Sequence, residues 1–422
     1  MRNLLSILIL LITSTILAQT PAIEVSPDST SVKTQKKQSP FSTGFYPVGF
    51  FDVDLKYIIK YNNYEGLRLG IGGVTNNRLS EKIKVGGYFA YGFKDKDAKF
   101  SLGGSVRLNE KRNTWLNLYY IDDISEIGSF QYLTDSRVYS VFEPRLVNVT
   151  QFYKHRTWQT NIQHEFSRKF LAEARIARSR IDQIEDYQFV VDNEVFNTSY
   201  EVAEVTASVR ISPKTNFFTT DDGRVEYFDG FPKISAQVTQ GVKGIVSSDF
   251  NYTKFGLKLD YYIKRTNLSS TNFLLEGLYA TGDVPLTHLF HAYPNNPTKD
   301  EILQRFSVAG RRSFETMYFG EFFSDRLTSL QVRHSLRRFN ISKRFQPELV
   351  FVTRHAIGDF SNRDQHLGIP FNTLEHFYSE SGFEINKLLF GFGLSFAYRY
   401  GYYNLPDFED NLSFKFTFYL KV

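Results

Sequence analysis

The chain has 422 residues, a formal net charge of +5 and no cysteine, which excludes disulfides, thiol chemistry and lipid attachment through an N-terminal cysteine. The charge is modest and spread along the chain, so nothing indicates nucleic-acid binding. Aromatic residues are abundant, with 41 Phe and 26 Tyr against two Trp and two Met. Such a supply is typical of the aromatic girdles of a membrane barrel, although a β-rich soluble protein remains an open alternative.

The N-terminal stretch predicts export. Arg2 precedes an apolar run over residues 4–12, and small residues follow up to Ala18. This is the pattern of a secretory signal peptide, and the apolar run is short for a membrane anchor. We therefore expect a signal peptide over residues 1–18. A flexible periplasmic lead-in is expected over 19–45, because that stretch is too polar to form a core, and one barrel domain over 46–422.

From about residue 64 onward, apolar side chains alternate with charged or small ones. For example, Phe255 and Leu257 alternate with Lys254 and Lys258. Successive side chains of a strand point to opposite faces, and a basic residue facing lipid costs roughly 2–4 kcal/mol at mid-membrane. The alternation therefore predicts strands with an apolar outer face and a polar inner face. The basic side chains that it places inside are Arg68, Arg107, Arg210, Lys258 and Arg399.

We expect sixteen strands, starting near residues 64, 82, 98, 114, 153, 169, 198, 231, 251, 271, 314, 326, 345, 377, 387 and 411. An even number keeps both termini on the periplasmic side. Short links alternate with long loops: the short ones are 76–81, 94–97 and 109–113, the long ones 126–149, 182–197, 217–229 and 284–313. No mature segment is apolar enough for a helical span. The predicted fold class is all-β, a transmembrane, antiparallel, up-and-down β-barrel.

The last strand carries the alternation to the end of the chain. Its odd positions include Ser413, Lys415 and Thr417, none of which is a pure hydrocarbon. The even positions, which we expect on the lipid face, are Leu412, Phe414, Phe416, Phe418, Leu420 and Val422. An open strand edge in lipid leaves backbone groups without partners, so this strand should pair with the first one and close the barrel.

Two groups of residues could bind a metal ion, but neither has the ligand spacing of a known metal site. His288 and His291 lie in the longest predicted loop, without further ligands at a telling spacing. Asp221, Asp222 and Glu226 are acidic, yet their spacing does not match a calcium-binding loop. A solvated loop and a polar turn are the better interpretations. We expect no metal and no cofactor.

Catalysis has equally little support. His334 with Ser335, or His376 with Ser379 and Glu380, could form a Ser-His-acid group, but neither set lies in a nucleophile motif. We expect no enzymatic activity. The inward basic residues have two interpretations that the sequence leaves open. They could line an anion-preferring pore, or they could pair with acidic residues and brace the wall.

Two passages carry a family resemblance. They are 61–70 with 87–95, and 314–317 with 321–326. Together they resemble an uncharacterised outer-membrane barrel family of Gram-negative bacteria, usually found behind a carboxypeptidase-regulatory-like β-sandwich. The residues that match its motifs here are Glu65, Gly66, Glu321, Asp325 and Arg326.

That family is distantly similar to the barrels of the BamA and two-partner-secretion superfamily, which insert or export proteins. The resemblance implies an outer-membrane location and a transport-related function, the export, passage or membrane assembly of an unidentified substrate. It implies outer-membrane lipid and the barrel-assembly machinery as partners; periplasmic or surface protein partners stay unidentified. The Arg-Gly-aromatic signature of the superfamily's inserted loop is missing, and the nearest text is 311–314. The alternatives are a passive pore, a structural or surface-binding outer-membrane protein and, less favoured, a barrel-embedded hydrolase.

Overall fold

A computed structural model describes residues 44–137, 143–184, 186–219, 225–228, 230–297, 307–342, 345–389 and 391–418. The expected signal peptide and most of the expected lead-in lie outside the described residues, as do Asp221, Asp222, Leu420 and Val422. All described residues belong to one compact unit, Ser39–Val422. Within them, no helix has the length and apolar character needed to cross a membrane.

The described residues form 25 β-strands. In chain order they are β1 Phe45–Val48, β2 Phe51–Asp54, β3 Ile59–Asn62, β4 Gly66–Thr75, β5 Ile83–Gly92, β6 Asp97–Asn109, β7 Thr114–Glu126, β8 Phe152–Ser167, β9 Phe170–Gln183, β10 Gln188–Val191, β11 Glu194–Phe196, β12 Ser199–Ile211, β13 Asn216–Thr219, β14 Val225–Phe228, β15 Lys233–Gly241, β16 Tyr252–Lys264, β17 Ser270–Gly282, β18 Pro294–Asn296, β19 Phe314–Tyr318, β20 Arg326–Ser335, β21 Glu348–Asp359, β22 His366–Leu367, β23 Tyr378–Leu389, β24 Phe392–Gly401 and β25 Leu412–Phe418. The helical segments described are short 3₁₀ turns at Leu55–Tyr57, Leu133–Arg137, Pro144–Val147, Ile245–Ser247, Leu286–His288, Arg363–Gln365 and Phe408–Asn411.

One antiparallel sheet forms the wall. From β4 onward each wall strand pairs with the next, in the order β4 to β9, β12, β15, β16, β17, β20, β21, β23, β24 and β25. The other edge of β4 pairs with β2 and β3, which together act as one interrupted strand. The described wall therefore has sixteen strands, with β1 as a short hairpin partner of β2. This confirms the predicted antiparallel barrel fold.

One of the sixteen wall strands is not among those that the sequence predicted, and one predicted strand is not part of the wall. The first wall strand, β2 with β3, was missed because the alternation of Phe51–Asp54 lasts only four residues before the 3₁₀ turn Leu55–Tyr57 interrupts it. The strand predicted near residue 314 exists as β19, but it does not belong to the wall. It pairs in parallel with β18 instead. The two errors cancel in the count.

The connections define two ends of the barrel. The loop-rich end carries, among others, the connections 127–151, 184–198, 242–251, 283–325 and 360–377. The turn end carries 76–82, 110–113, 168–169 and 265–269. The predicted alternation of link lengths has two exceptions, since the short turn 93–96 lies at the loop-rich end and the long connection 212–232 at the turn end. The order of the strands, and not the length of a connection, determines at which end of the barrel the connection lies.

Side chains segregate between the two faces of the wall. In β25, Ser413, Lys415 and Thr417 are buried, whereas Phe414 and Phe416 are exposed. The outer face exposes large apolar side chains on neighbouring strands, among them Ile71, Phe89, Leu102, Leu118, Ile176, Val205, Phe255 and Leu257. A soluble sheet buries its apolar face and exposes its polar one. The arrangement here is the reverse, as a wall surrounded by hydrocarbon requires.

The hydrophobic core lies inside the wall at the loop-rich end. Loops from that end fold inward and pack against inward-facing wall residues. Aromatic members of this core include Phe130, Tyr187, Phe189, Phe250, Phe290, Phe314, Phe323 and Phe371. The longest contributor is the connection 283–325, described over 283–297 and 307–325, which we call the plug. It replaces the external loop predicted over 284–313.

Candidate functional site

The plug contains a short strand that is buried on all sides. Each of the five residues of β19 is buried, and β19 pairs with β18 within the plug. Aromatic and β-forming residues predict a strand here, but they do not reveal whether it lies in the wall or inside it. Because Glu315 and Thr316 of β19 are polar and buried, they need hydrogen-bonding partners. The wall supplies them.

Glu380 of β23 holds the backbone of the plug. Its fully buried carboxylate accepts hydrogen bonds from the backbone N–H groups of Glu315 and Thr316, both at 2.9 Å, and from the Thr316 hydroxyl at 2.6 Å. Arg354 of β21 donates to the same carboxylate at 2.7 Å. Charge-assisted hydrogen bonds of this kind are about twice as strong as neutral ones. Glu380 therefore fixes β19 against the wall.

A second contact joins the plug to the last strand. Lys415 of β25 lies 3.1 Å from the Glu315 carboxylate, and its ammonium group donates to the Glu315 carbonyl at 2.8 Å and the Asn295 carbonyl at 2.5 Å. The Glu315 carboxylate also accepts from Gly310 N–H and the Ser313 hydroxyl. Lys415 and Glu315 are both buried, so each depends on the other for compensation of its charge.

A third contact lies where the plug turns back toward the wall. Arg399 of β24 donates two hydrogen bonds to the Glu321 carboxylate, at 2.8 and 3.1 Å, and its guanidinium lies 4.7 Å from the centre of the Tyr378 ring. The bidentate geometry fixes the orientation of Glu321 as well as its position. Plug carboxylates thus meet wall cations on β24 and β25.

A second inward-folded loop also contacts the plug. Arg145, in the turn Pro144–Val147, pairs with Glu126 at the end of β7 and donates to the Pro294 carbonyl at 2.9 Å. The His291 ring also hydrogen-bonds the Glu126 carboxylate at 2.9 Å. Glu126 therefore joins the wall to two different segments of the inward-folded loops.

The plug also pairs with the last strand, on the edge of β25 that lies opposite β24. The Phe416 N–H donates to the Ser307 carbonyl at 2.9 Å, and the Ala309 N–H donates to the Phe416 carbonyl at 2.8 Å, so Val308 and Phe416 form a parallel bridge. In the described part of the chain, no strand ladder joins β25 to β1, β2 or β3. The predicted pairing of the last strand with the first is not found there. We call the boundary between these edges the seam.

The model of the family of unknown function DUF5686, C-terminal domain, matches residues 31–317. The chain belongs to the DUF5686 family. No curated protein sequence is significantly similar to it.

Two solved structures of outer-membrane proteins are similar to this DUF5686 barrel to different degrees. BamA from Haemophilus ducreyi, lacking POTRA domains 1–3, is similar over 85% of this chain and 68% of that one, with 12% identity and a TM-score of 0.52. The siderophore receptor PirA from Acinetobacter baumannii matches 79% of this chain and 59% of that one, with 10% identity and a TM-score of 0.34. At this identity the BamA likeness concerns the fold alone, that of an outer-membrane β-barrel.

The residues that match the family motifs by resemblance lie at junctions between segments of the DUF5686 barrel. Glu65 is buried in the turn between β3 and β4, where it accepts from Asn62 at 2.5 Å and pairs with Arg68 at 3.2 Å. Gly66 has a φ of +66°, a conformation that a side chain disfavours. At the end of the plug, Asp325 accepts from the Ser361 N–H at 2.8 Å.

Arg326 begins β20 directly after the plug, and its guanidinium lies 2.9 Å from the Asp359 carboxylate. The two sequence passages are thus brought to separate places. One shapes the β3–β4 turn, and the other forms the plug and its return to the wall.

The five basic residues predicted to face inward have different surroundings. Arg68 pairs with Asp123 at 2.8 and 2.9 Å, Arg210 lies 3.3 Å from Asp135, and Lys258 pairs with the same Asp135. Arg399 pairs with Glu321, as described above. Arg107 is less buried and lies over the Trp115 ring, 5.6 Å from its centre. Paired cations brace the wall, so these contacts favour the bracing interpretation over an anion-preferring pore.

The residues considered for catalysis are not assembled. His334 hydrogen-bonds Thr271 at 2.9 Å, and His376 packs against Tyr402 with the two rings tilted. Glu380 holds the plug. Ser379 instead contacts His355, which no sequence motif indicated, with the ring Nδ1 2.9 Å from the hydroxyl.

The other ring nitrogen of His355 bonds the Thr353 hydroxyl at 3.0 Å. Nucleophilic catalysis of this type needs a histidine base that a carboxylate orients. The two hydroxyl contacts of His355 do not provide that carboxylate.

The histidines considered for a metal point to different partners. His291 bonds Glu126, whereas His288 bonds Thr287 at 2.8 Å and packs near Tyr153. Burial lowers the pKa of His288 to about 3. The described residues contain no group of three or more His, Cys, Asp or Glu side chains arranged to hold a metal.

Another buried histidine predicts a pH dependence of stability. His366 of β22 packs among aromatic rings and bonds the Tyr187 hydroxyl at 2.7 Å, and burial lowers its pKa from 6.5 to about 3. The unfolded chain binds this proton at a higher pH, so stability is fully present above about pH 6.5 and falls as the pH drops toward 3, by at most ~1.4 kcal/mol per pH unit.

Unfolding of the purified barrel in detergent, measured between pH 7 and 5, checks this expectation. His366→Phe keeps an aromatic ring and removes one of the titrations, since His288 also has a lowered pKa, so it should make the decline of stability shallower. His376→Asn, at an exposed histidine, should not. An equal decline in both variants would contradict the assignment.

Proposed function

We propose that this protein resides in the outer membrane and acts at its seam, in the export or membrane assembly of a polypeptide substrate. The exposed apolar outer face supports the location, and so does the signal peptide expected over residues 1–18. The partners of the protein would then be a polypeptide chain that binds the seam from the periplasmic side and the lipid that surrounds the barrel.

The observation that carries the proposal is the edge of β25. Backbone groups at a strand edge in lipid need partners, and a new strand can supply them by β-augmentation. At Phe416 the partner is the plug, bound through two hydrogen bonds, and not a neighbouring wall strand. A plug that moves away would offer this edge to an incoming strand. The edge is then a place where a substrate can pair or pass.

A passive pore is less well supported. The loop-rich end is filled by an aromatic core, and two buried ion pairs, together with the hydrogen bonds to the Glu380 carboxylate, hold the plug inside. A channel for free diffusion requires a water-filled path through this region. The superfamily resemblance stated above, to barrels that insert or export proteins, points in the same direction as the seam.

The test fixes the plug to β25. Val308→Cys with Phe416→Cys places two thiols across the parallel bridge, in a chain that has no other cysteine. We expect that a strain lacking the protein shows reduced amounts of particular outer-membrane or surface proteins, measured by quantitative proteomics. The oxidised double variant should reproduce that loss, and a reductant should reverse it.

A matched control joins β25 to the wall instead. Leu394→Cys with Phe416→Cys links register partners on β24 and β25 and leaves the plug free, so it should support normal protein levels. Unchanged protein levels in the deletion strain, with altered uptake of small solutes, would favour the passive pore and overturn the proposal. Normal function of the oxidised plug variant would do so as well.

A further inference from the structure

Charged side chains on the outer face are concentrated on four neighbouring strands near the loop-rich end. These strands are β7, β8, β9 and β12, and the residues are Asp122, Lys154, Arg156, Arg178, Arg180, Asp182 and Glu201. The arginine side chains stay well exposed, at 45% for Arg156, 43% for Arg178 and 51% for Arg180. Outward charge at this height meets the head groups of a surrounding leaflet.

Below these charges, toward the turn end, the outer face has an apolar groove of about 220 Å³. Trp158 and Ile176 line it and are 55% and 64% exposed. Leu118 and Val205 extend the apolar lining, and Arg178 stands at its border with the charges. On this surface the apolar groove therefore lies next to a group of guanidinium ions.

A loop from the loop-rich end overhangs the same groove. Val242, Ile245 and Val246 of the connection 242–251 contribute to its lining. Val246 has φ 51° and ψ 42°, a left-handed conformation that is costly for a β-branched residue. Arg178 secures this conformation by donating from Nε to the Val246 carbonyl at 3.1 Å. The strained turn keeps two apolar side chains on the outside, beside the groove.

The arginines are incompletely neutralised by the nearest carboxylate. Arg156 and Arg180 share Asp182, at 2.9 and 3.4 Å, whereas Arg178 has Glu201 to itself. Asp122, the register partner of Arg156 across β7 and β8, is the next carboxylate on this face. Two guanidinium groups have five N–H donors each, so sharing one carboxylate leaves donors that face outward.

We propose that this surface binds a phosphate-bearing acyl lipid of the leaflet at the loop-rich end, with chemistry of the lipid A type. An acyl chain lies in the groove over Trp158, and the phosphate takes hydrogen bonds from Arg156 and Arg180. Arginine recognises phosphate by such forked hydrogen bonds. This inference rests on the proposed outer-membrane location but not on any activity at the seam.

Trp158 provides a direct readout. The chain has two tryptophans, so Trp115→Phe leaves one reporter, which lines the groove. In nanodiscs of brominated phosphatidylcholine, the Trp158 fluorescence should be quenched, and unbrominated lipid A should relieve the quenching by displacing the brominated lipid. Dephosphorylated lipid A, with the same acyl chains, should need an about tenfold higher mole fraction, because charge-assisted hydrogen bonds to the phosphate are lost.

Variants assign the effect to the charges. Arg156→Gln with Arg180→Gln should remove the preference for the phosphorylated lipid, and Asp122→Asn should strengthen it. Lys94→Gln, at an exposed cation of the loop-rich end outside the groove, serves as the control and should change nothing. Equal relief by both lipids, or an unchanged preference in the double arginine variant, would overturn the proposal. These measurements use no functional assay, so their failure leaves the seam proposal untouched.

Discussion

Glu380→Gln is expected to release the plug while the wall stays folded. The Glu380 carboxylate accepts three hydrogen bonds from Glu315 and Thr316 of the plug and one from Arg354 of the wall. A glutamine has one acceptor oxygen and turns an NH₂ group toward donors, so the plug loses its charge-assisted contacts. Removal of one partner of such a buried network costs ~3 kcal/mol.

Thiol labelling measures the release. Met317→Cys places a reporter at a fully buried position of the plug, where a maleimide reacts only when the plug opens. In this background Glu380→Gln should increase the labelling rate about a hundredfold, the factor that corresponds to ~3 kcal/mol.

Glu384→Gln is the matched control for this experiment. Glu384 is also buried on β23, but its bidentate contacts, at 2.7 and 2.6 Å, are to Arg333 of the wall. Its loss should weaken the wall and leave the labelling of residue 317 nearly unchanged. An equal increase of the labelling rate in both variants would mean that general destabilisation opens the plug. The contacts of Glu380 would then not be specific to the plug.

The wall could be predicted from the sequence because its physics is local. Each wall strand separates apolar from charged side chains with a period of two, and that separation is set by lipid on one side and polar surroundings on the other. Where an element lacks this asymmetry, the prediction fails. In β19, for example, all five residues are buried by other parts of the chain, so nothing in Phe314–Tyr318 distinguishes it from a wall strand.

The contacts of the candidate site depend on register, which the sequence does not reveal. Parity places Lys415 on the inner face, but its partner Glu315 is a hundred residues away. Likewise, Ser379 meets His355 because the two are register partners across β21 and β23. Alternation indicates which face a side chain occupies, whereas its neighbours follow from strand order and from how the loops fold inward.

Lys415→Met and Glu315→Gln should each destabilise the barrel strongly, and the double variant should lose much less than the sum. Each single change leaves a buried group without its compensating partner, at an expected cost of ~3 kcal/mol, and the pair should show a coupling energy of ~2 kcal/mol. Urea unfolding in detergent, followed by tryptophan fluorescence, gives the four free energies of the cycle.

An exposed pair calibrates this cycle. Lys154 and Asp97 lie 2.7 Å apart at the loop-rich end, with side chains 39% and 44% exposed, so their coupling should be ~0.5 kcal/mol. A similarly small coupling for Lys415 and Glu315 would mean that water reaches the buried pair. A large one has a structural consequence, because Lys415 immediately precedes Phe416, whose backbone binds the plug from the outer edge. The plug then binds β25 through a side chain and through the main chain, and Phe416 is released from the plug only when both contacts break.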